Sequence, residues 1–366
     1  MEPGDHIDAP RSSGCAEFGV YVHIPFCATR CDYCAFATWT DREHLVAGYL
    51  DALVADIRRH VDAGMPVADT VFVGGGTPTH VPADGLARVI AAIPVGPDAE
   101  ITVESNPDDV TEAMMRTYAA AGVNRISIGV QSMVDSVLVA LGRTHVPANV
   151  ERAVAAVRAA GIATFNLDLI YGGAGERLAD WERTIRGAIA LDPPHISAYA
   201  LTVEAGTPLA LDPARHPDDD DLADKYELAD NLLAAAALGN YEVSNWARPG
   251  HECRHNLVYW RQGDYQAFGC AGHSHRDGRR FWNVRTPDRY IDLVARGESV
   301  EASGEQLDPD ERRIEGLQLQ LRLRDGVPRE ALDGDDLPGL VELHDDRWTL
   351  TQRGRLMANE VALRLR

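Results

Sequence analysis

Three cysteines stand within eight residues, Cys27-Ala-Thr-Arg-Cys31-Asp-Tyr-Cys34. Thiolates crowded on one short loop can grip a soft metal centre, and iron–sulfur clusters are held by such ligands. A cubane cluster has four irons, so three protein sulfurs leave one iron open to a small chelating molecule. With His23 or a distant residue as fourth ligand, the same thiols would suit a structural zinc. Zinc loops generally pair two C-x2–4-C knuckles across a spacer, and no second knuckle follows here. Cys15, Cys253 and Cys270 are isolated. They read as residues without an assigned role, because free cysteines usually pack as small buried hydrophobes.

Other reactive side chains recur at one kind of place. Val71-Phe-Val-Gly74-Gly75-Gly76-Thr77-Pro78 ends an apolar run in a glycine-rich turn, where main-chain groups can approach and hydrogen-bond a ligand. No GK[ST] follows to make a phosphate cradle, and a tight turn without a ligand fits the same residues. Glu104 closes the next apolar run, Gln131 the one after, and Asp168 lies in Asn166-Leu-Asp-Leu-Ile-Tyr-Gly172. Arg143 and His145 follow the fourth run in Leu141-Gly-Arg-Thr-His145. One polar residue at such a position is ordinary. Several on consecutive runs, after a cysteine loop, describe a single concave site.

Residues so far apart in sequence need a scaffold that gathers the run ends. Short β-branched runs at 19–24, 70–73, 100–104, 125–130, 164–170 and 195–201 alternate with segments of helical period. The helical segments are 45–63, 83–92, 111–121, 132–160 with a break at Pro147, 178–190 and 221–238. This alternation predicts an α/β fold with a parallel sheet and right-handed crossovers. Six units are two short of a full barrel, and a partial (βα)6 TIM-like barrel leaves the C-terminal strand ends open as the face where chemistry collects. The unusual residues fall at those ends. Residues 1–18 read as a flexible N-terminal segment, 19–239 as the partial barrel, 240–307 as a connecting region of short strands and loops and 308–366 as a smaller helical C-terminal domain with a strand at 347–350. The acidic run 218–221 reads as a helix cap.

With Tyr33 just before its last cysteine, the C-x3-C-x2-C loop resembles the cluster loop of the radical S-adenosylmethionine (SAM) enzymes. From Tyr21-Val-His-Ile-Pro-Phe-Cys27 through GGGTP, Glu104, Gly129-Val-Gln131, Arg143 and Asp168, nearly the whole chain resembles the oxygen-independent coproporphyrinogen III oxidase family of radical-SAM proteins. The resemblance implies a radical-SAM barrel followed by a small α+β, winged-helix-like domain. It implies that Cys27, Cys31 and Cys34 ligate a [4Fe-4S] cluster whose fourth iron SAM chelates. It further implies SAM contacts from Tyr21, Tyr33, Gly75, Gly76, Thr77, Glu104, Gln131, Arg143 and Asp168. Glu104 and Asp168 suit an amine and ribose hydroxyls, and Arg143 suits a carboxylate. No catalytic residue is assigned.

That family joins decarboxylating oxidases to a haem-chaperone branch. The oxidases carry a further cysteine two residues after the third, where this chain has Phe36, and a longer segment before the first strand. His255-Asn-Leu-Val-Tyr-Trp260 resembles the H-N-x-x-Y-W motif of the chaperone branch, which implies haem binding through His255, Asn256, Tyr259 and Trp260. An imidazole can ligate haem iron and the aromatic rings offer flat apolar faces, although a packed aromatic corner fits the same residues. Gly269-Cys-Ala-Gly-His273-Ser-His275 resembles a glycine-rich segment of the family, with Gly272 in place of an alanine, and receives no role. The expectation is a haem chaperone with a [4Fe-4S] cluster and SAM that passes haem to an acceptor protein. The alternatives are a radical-SAM oxidase or related tetrapyrrole-modifying enzyme and, as a third class, a zinc-stabilised binding protein.

Composition narrows the setting. The 366 residues are 45% hydrophobic and 25% charged, ordinary for a globular chain. A net charge of −21 repels phosphate backbones, which argues against nucleic acid as a partner. No stretch approaches the ~18 uninterrupted apolar residues of a membrane span, and the early acidic residues do not make a signal peptide. The unevenly spaced cysteines are not a disulfide framework. These features predict a cytoplasmic protein, monomer or dimer, with room for transient docking at a membrane.

Overall fold

A computed structural model describes residues 17–366. Six strands lie side by side in chain order, each parallel to the one before: β1 (Phe18–Ile24), β2 (Ala68–Gly75), β3 (Val95–Ser105), β4 (Arg125–Gln131), β5 (Thr164–Tyr171) and β6 (His195–Ala200). Helices cross between them: α1 (Val46–Asp62), α2 (Ala83–Ala91), α3 (Glu112–Ala120), α4 (Asp135–Ala140) with α5 (Pro147–Ala159), and α6 (Leu178–Ala190). α7 (Asp219–Ala235) follows β6. This is the expected α/β arrangement of a partial barrel, and the strands run one to three residues beyond most of the predicted runs.

Alternate residues of a strand face opposite sides, and here the two sides differ sharply. Val20, Val22, Val71, Val73, Ile101, Val103, Ile126, Ile128, Leu167, Leu169 and Ile196 join the helices in one apolar core. Each such residue contributes roughly 1.5–3 kcal/mol when buried, so the outer face supplies the cohesion of the barrel. The positions between them are Tyr21, Phe72, Glu104, Ser127, Asp168 and Ser197, which line an interior cavity.

Two expectations are corrected. Pro147 does not interrupt a long helix at 132–160. α4 ends at Ala140, Gly142 turns the chain at φ +70°, and Pro147 occupies the first turn of α5, where its missing N–H costs nothing. The six residues between the helices are thereby free to carry Arg143 inward. Region 240–307, in turn, is part of the main sheet and not a connection. β7 (Gly239–Glu242) and β8 (Asn245–Ala247) form a hairpin added antiparallel beyond β6. α8 (Arg254–Trp260) leads into β9 (Asp264–Phe268), which lies parallel beside β1. β10 (His273–Arg276), β11 (Arg279–Asn283), α9 (Pro287–Ala295) and β12 (Glu301–Gln306) complete a twelve-stranded sheet ordered β12-β11-β10-β9-β1-β2-β3-β4-β5-β6-β8-β7. The short strands expected here are present, three to six residues long, and what sequence did not show is that they join the main sheet.

After α10 (Pro309–Gln320), β13 (Val327–Pro328), β14 (Val341–His344) and β15 (Arg347–Leu350) make a separate three-stranded sheet. Leu321, Val327, Leu332, Val341 and Val361 give it an apolar cluster of its own. β15 coincides with the strand expected at 347–350. The acidic run does cap a helix: Asp218 accepts the Asp221 N–H (3.0 Å) at the start of α7. Of the segment 1–18, residues 1–16, with Cys15, lie outside the described residues. Glu17 pairs with Arg254 (2.9 Å), and the Phe18 N–H donates to Asp69 (2.9 Å).

Candidate functional site

The cysteine loop leaves the end of β1 and is pinched at its base. The Trp39 N–H donates to the Pro25 carbonyl (2.8 Å) and the Cys27 N–H to the Trp39 carbonyl (3.1 Å). Within the loop the Cys34 N–H donates to the Cys31 carbonyl (3.1 Å), and Asp32 pairs with Arg215 (2.9 Å). Cys27, Cys31 and Cys34 are all half-buried. Burial pushes the Cys27 and Cys34 thiols up, repulsion from neighbouring cysteines adds to this, and hydrogen bonds with Thr77 and Thr38 oppose it. Thr77 Oγ1 donates to Cys27 Sγ (3.5 Å) and Arg143 Nη1 to Cys31 Sγ (3.6 Å). These donors favour thiolates once a metal draws the protons off. Among the described residues no three His, Cys, Asp or Glu side chains gather closely enough to hold a single ion. Three thiols on one loop match the donor chemistry of an iron–sulfur cluster, with one thiolate for each of three irons.

The glycine turn presses directly on this loop. The Gly76 N–H donates to the Ile24 carbonyl (2.7 Å) and the Thr77 N–H to the Phe26 carbonyl (2.8 Å). A methyl on Gly76 would stand 2.7 Å from the Phe26 oxygen, 2.8 Å from the Ile24 oxygen and 3.0 Å from Cys27 Sγ. Gly75 sits at φ +110°, and a methyl there would meet the His23 ring at 2.4 Å. Its N–H donates to Glu104 Oε2 (3.1 Å). The three N–H donors of Gly75, Gly76 and Thr77 are thus engaged inside the protein. What the glycines provide is close approach.

Behind the turn lies the barrel interior, a cavity of about 180 Å³. Ser127 Oγ donates to Asp168 (2.6 Å) and Asn166 Nδ2 to Asp168 (2.8 Å). His195 joins Asn166 (2.6 Å) to the Tyr241 hydroxyl (2.8 Å), and the buried Arg125 donates to the His251 carbonyl (3.0 Å). Burial, reinforced by the facing Asp168, pushes the Glu104 carboxyl up to about 8. Burial also raises Asp168, against hydrogen bonds from Ser127, Ser197 and Asn166. Two half-buried acids face one cavity with Arg125 as the cationic neighbour of Asp168, and a ligand with an amine or sulfonium group would add to that positive charge.

The remaining predicted contacts frame the same opening. Gln131 ends β4 at φ +61°, a strained geometry for a residue with a side chain, and the β4–β5 register slips beside it. Arg143 is held by Cys31, by Asn106 (3.2 Å) and by the Gly129 carbonyl (3.1 Å), so three of its five donors are engaged and two remain for a carboxylate. Tyr33 packs on the apolar cluster of Val134, Leu141 and Leu209. Tyr21 stacks on Phe72 and hydrogen-bonds His23 (3.2 Å). His145, by contrast, turns away to the Val130 carbonyl (2.9 Å).

The α8 residues divide. His255 is fully buried, with Nδ1 against Thr70 (2.8 Å), Nε2 against the Tyr259 hydroxyl (2.7 Å) and its ring stacked on Phe72. Burial alone drives its pKa down to about 3. Both nitrogens are occupied. Asn256 and Tyr259 also line the interior cavity, whereas Trp260 does not. Cys253 and Cys270 are buried away from the loop, Cys270 beneath Tyr49. Sequence reading missed Arg125, Ser127, Asn166, His195, Ser197 and Tyr199. Their signal was present: polar residues at every second position of strands that, in a parallel sheet, should be apolar on both faces.

Comparison with known proteins agrees with this geometry. The family model described as the Radical SAM superfamily matches residues 21–188. The heme chaperone HemW of Mycobacterium tuberculosis is 41% identical over 94% of this chain and 93% of its own length. The heme chaperone HemW of Escherichia coli K12 is 34% identical over 93% of this chain and 96% of its own. Among solved structures, the Escherichia coli coproporphyrinogen III oxidase HemN superposes with a TM-score of 0.82 at 21% identity, covering 95% of this chain and 89% of its own.

Two substitutions test the packing of the site. Gly76→Ala should destabilise the protein by about 1–3 kcal/mol in chemical denaturation. Gly96→Ala, where a methyl meets nothing nearer than 3.8 Å, should stay within about 0.5 kcal/mol of wild type. Because Glu104 titrates higher when folded than unfolded, its ionisation opposes folding as pH rises from near 4.5 through about 8. Glu104→Gln should therefore stabilise the ligand-free protein at pH 8, on the order of 1 kcal/mol or more, and have little effect at pH 4. Equal effects at both pH values would show that the carboxyl is not held protonated.

Proposed function

The chain belongs to the HemW family of radical SAM proteins, and from that premise we propose that it binds haem and passes it to an acceptor protein, carrying a [4Fe-4S] cluster and SAM. The observation that supports this reading is the gathering of the three cysteines, the glycine turn and Arg143 around one opening, combined with Phe36, 67% exposed, at the position where the oxidases of the wider family have a cysteine. Among the described residues no helix is long and apolar enough to cross a membrane. The reading implies a cytoplasmic protein that meets its acceptor by contact.

In this reading Cys27, Cys31 and Cys34 each hold one iron, with Thr77 and Arg143 donating to the sulfurs. Glu104 and Asp168 would offer acceptors to the amine and hydroxyls of SAM, and the two remaining donors of Arg143 would suit its carboxylate. Gly75 and Gly76 let this chelating end approach the loop without a side chain intervening. Together a reduced cluster and SAM supply one-electron radical chemistry. The protein's own part is to bind, orient and exclude water, and Tyr21 and Tyr259 wall off the interior for that purpose.

The intact constellation also supports a second reading, in which the chain is a radical-SAM oxidase acting on a tetrapyrrole. Anaerobically reconstituted protein separates the two. It should take up roughly one haem per chain and yield no carbon dioxide from coproporphyrinogen III when reduced with SAM present. Decarboxylation by a preparation that binds no haem would overturn the chaperone reading. SAM affinity should rise as pH increases from 6 towards 8, because the cationic ligand needs Glu104 ionised; a flat profile would remove Glu104 from the SAM site.

A further inference from the structure

On the far side of the Tyr21 and Tyr259 wall lies a second, open groove of about 700 Å³, which runs from the cysteine loop across β10 and β11 to the edge of β12. At about 700 Å³ the groove falls in the upper half of the range of small-molecule pockets. Phe36, Ala35, Ala271 and Ala302 give the groove apolar walls, and Arg285 is exposed at its rim with no ion pair among the described residues.

Two imidazoles line this groove, those of His23 and His273, and only the second is exposed. His273 and Trp282 are cross-strand neighbours of β10 and β11, their rings stacked with centroids 5.7 Å apart and planes 28° apart. The indole holds the imidazole in a fixed orientation. His273 is exposed, and its ring makes no hydrogen bond to any described residue. The other histidines nearby are all buried, although His275 Nε2 has no hydrogen-bond partner. His23 is bonded to Tyr21 and to the Ala37 carbonyl, His255 to Thr70 and Tyr259, and His275 is buried against the Gly263 carbonyl. Desolvation of the ring lowers the pKa of His273, which favours the neutral imidazole, whose one unprotonated nitrogen can ligate a metal.

We infer that haem docks in this groove with His273 as its iron ligand, the porphyrin edge against Phe36, and a propionate towards Arg285. The inference rests on the chaperone reading and deepens it by moving the ligand role from His255 to His273. His255 then acts as a positioning residue: its hydrogen bond fixes the Tyr259 hydroxyl in the wall between groove and interior. Haem in the groove would sit beside the cysteine loop with the SAM cavity behind it, so cargo and cofactors would occupy separate compartments.

The test is haem titration of the full-length, cluster-loaded protein, followed by the Soret spectrum and by affinity. His273→Ala should weaken haem binding at least about tenfold and abolish the imidazole-ligated spectrum, and added free imidazole should restore that spectrum. Because His273 is exposed, cluster content serves as the folding control. Tyr259→Phe should keep the ligated spectrum. If His273→Ala retains wild-type affinity and spectrum while His255→Ala loses both, the inference is overturned and the chaperone reading stands. If wild-type protein binds no haem at all, both fall.

Discussion

Two hydrogen bonds, from the Gly76 and Thr77 N–H groups to the carbonyls of Ile24 and Phe26, govern the arrangement of this site. They carry the parallel β1–β2 pairing past the point where both strands would otherwise diverge. The cysteine loop starts on one side of that extension and the glycine turn lies on the other, in contact. Such an approach tolerates no Cβ, since one at Gly76 would collide with backbone oxygens that cannot move without breaking the same two bonds. The position of Cys27, the line of Thr77 to its sulfur, and the anchoring of Glu104 through the Gly75 N–H all follow from this contact.

The barrel interior costs stability. A closed barrel of this class fills its centre with layers of Val, Ile and Leu. Here the inward positions hold two carboxyls, a guanidinium, two serines, an asparagine and a histidine. Their mutual hydrogen bonds limit the penalty, but the upward-shifted Glu104 and Asp168 show that it is not cancelled. Cohesion comes instead from the outward face and its helices. A ligand that supplies positive charge to the interior would stabilise the fold by mass action, by about 2.7 kcal/mol at a hundredfold excess over its dissociation constant. Loading of such a ligand would couple to folding for that electrostatic reason.

Much of this was legible in the residues. The βα rhythm located all six parallel strands, because each buries an apolar face against a helix and such burial leaves a pattern. The spacing of Cys27, Cys31 and Cys34 placed three donors on one loop, and the run ends pointed to Glu104, Gln131 and Asp168. Less legible was the inner lining. Ser127, Asn166 and Ser197 are individually unremarkable, and only their common face makes them a network. Arg143 was recognised by its motif, yet its delivery depends on the break after Ala140, which the helical periodicity of 132–160 obscured. That short strands follow residue 240 was legible, but their place in the main sheet was not, because their partners β1 and β6 lie far away in the chain.

The chain's sequence by itself determined the chemistry available: three thiols at one strand end, carboxyls and a guanidinium at others, an acidic body and an α/β scaffold with the family to which these belong. Those properties are local, set by residue type and by spacing along one or two elements. Only the tertiary structure decided which groups are free to act. His255 stands in the motif that suggests a haem ligand, but Thr70, Tyr259 and Phe72, brought from other elements, occupy its nitrogens and its face. His273 stands in a segment with no assigned role, and the pairing of β10 with β11 leaves it exposed and oriented by Trp282. A side chain's availability depends on what surrounds it, and those surroundings are assembled from across the whole chain.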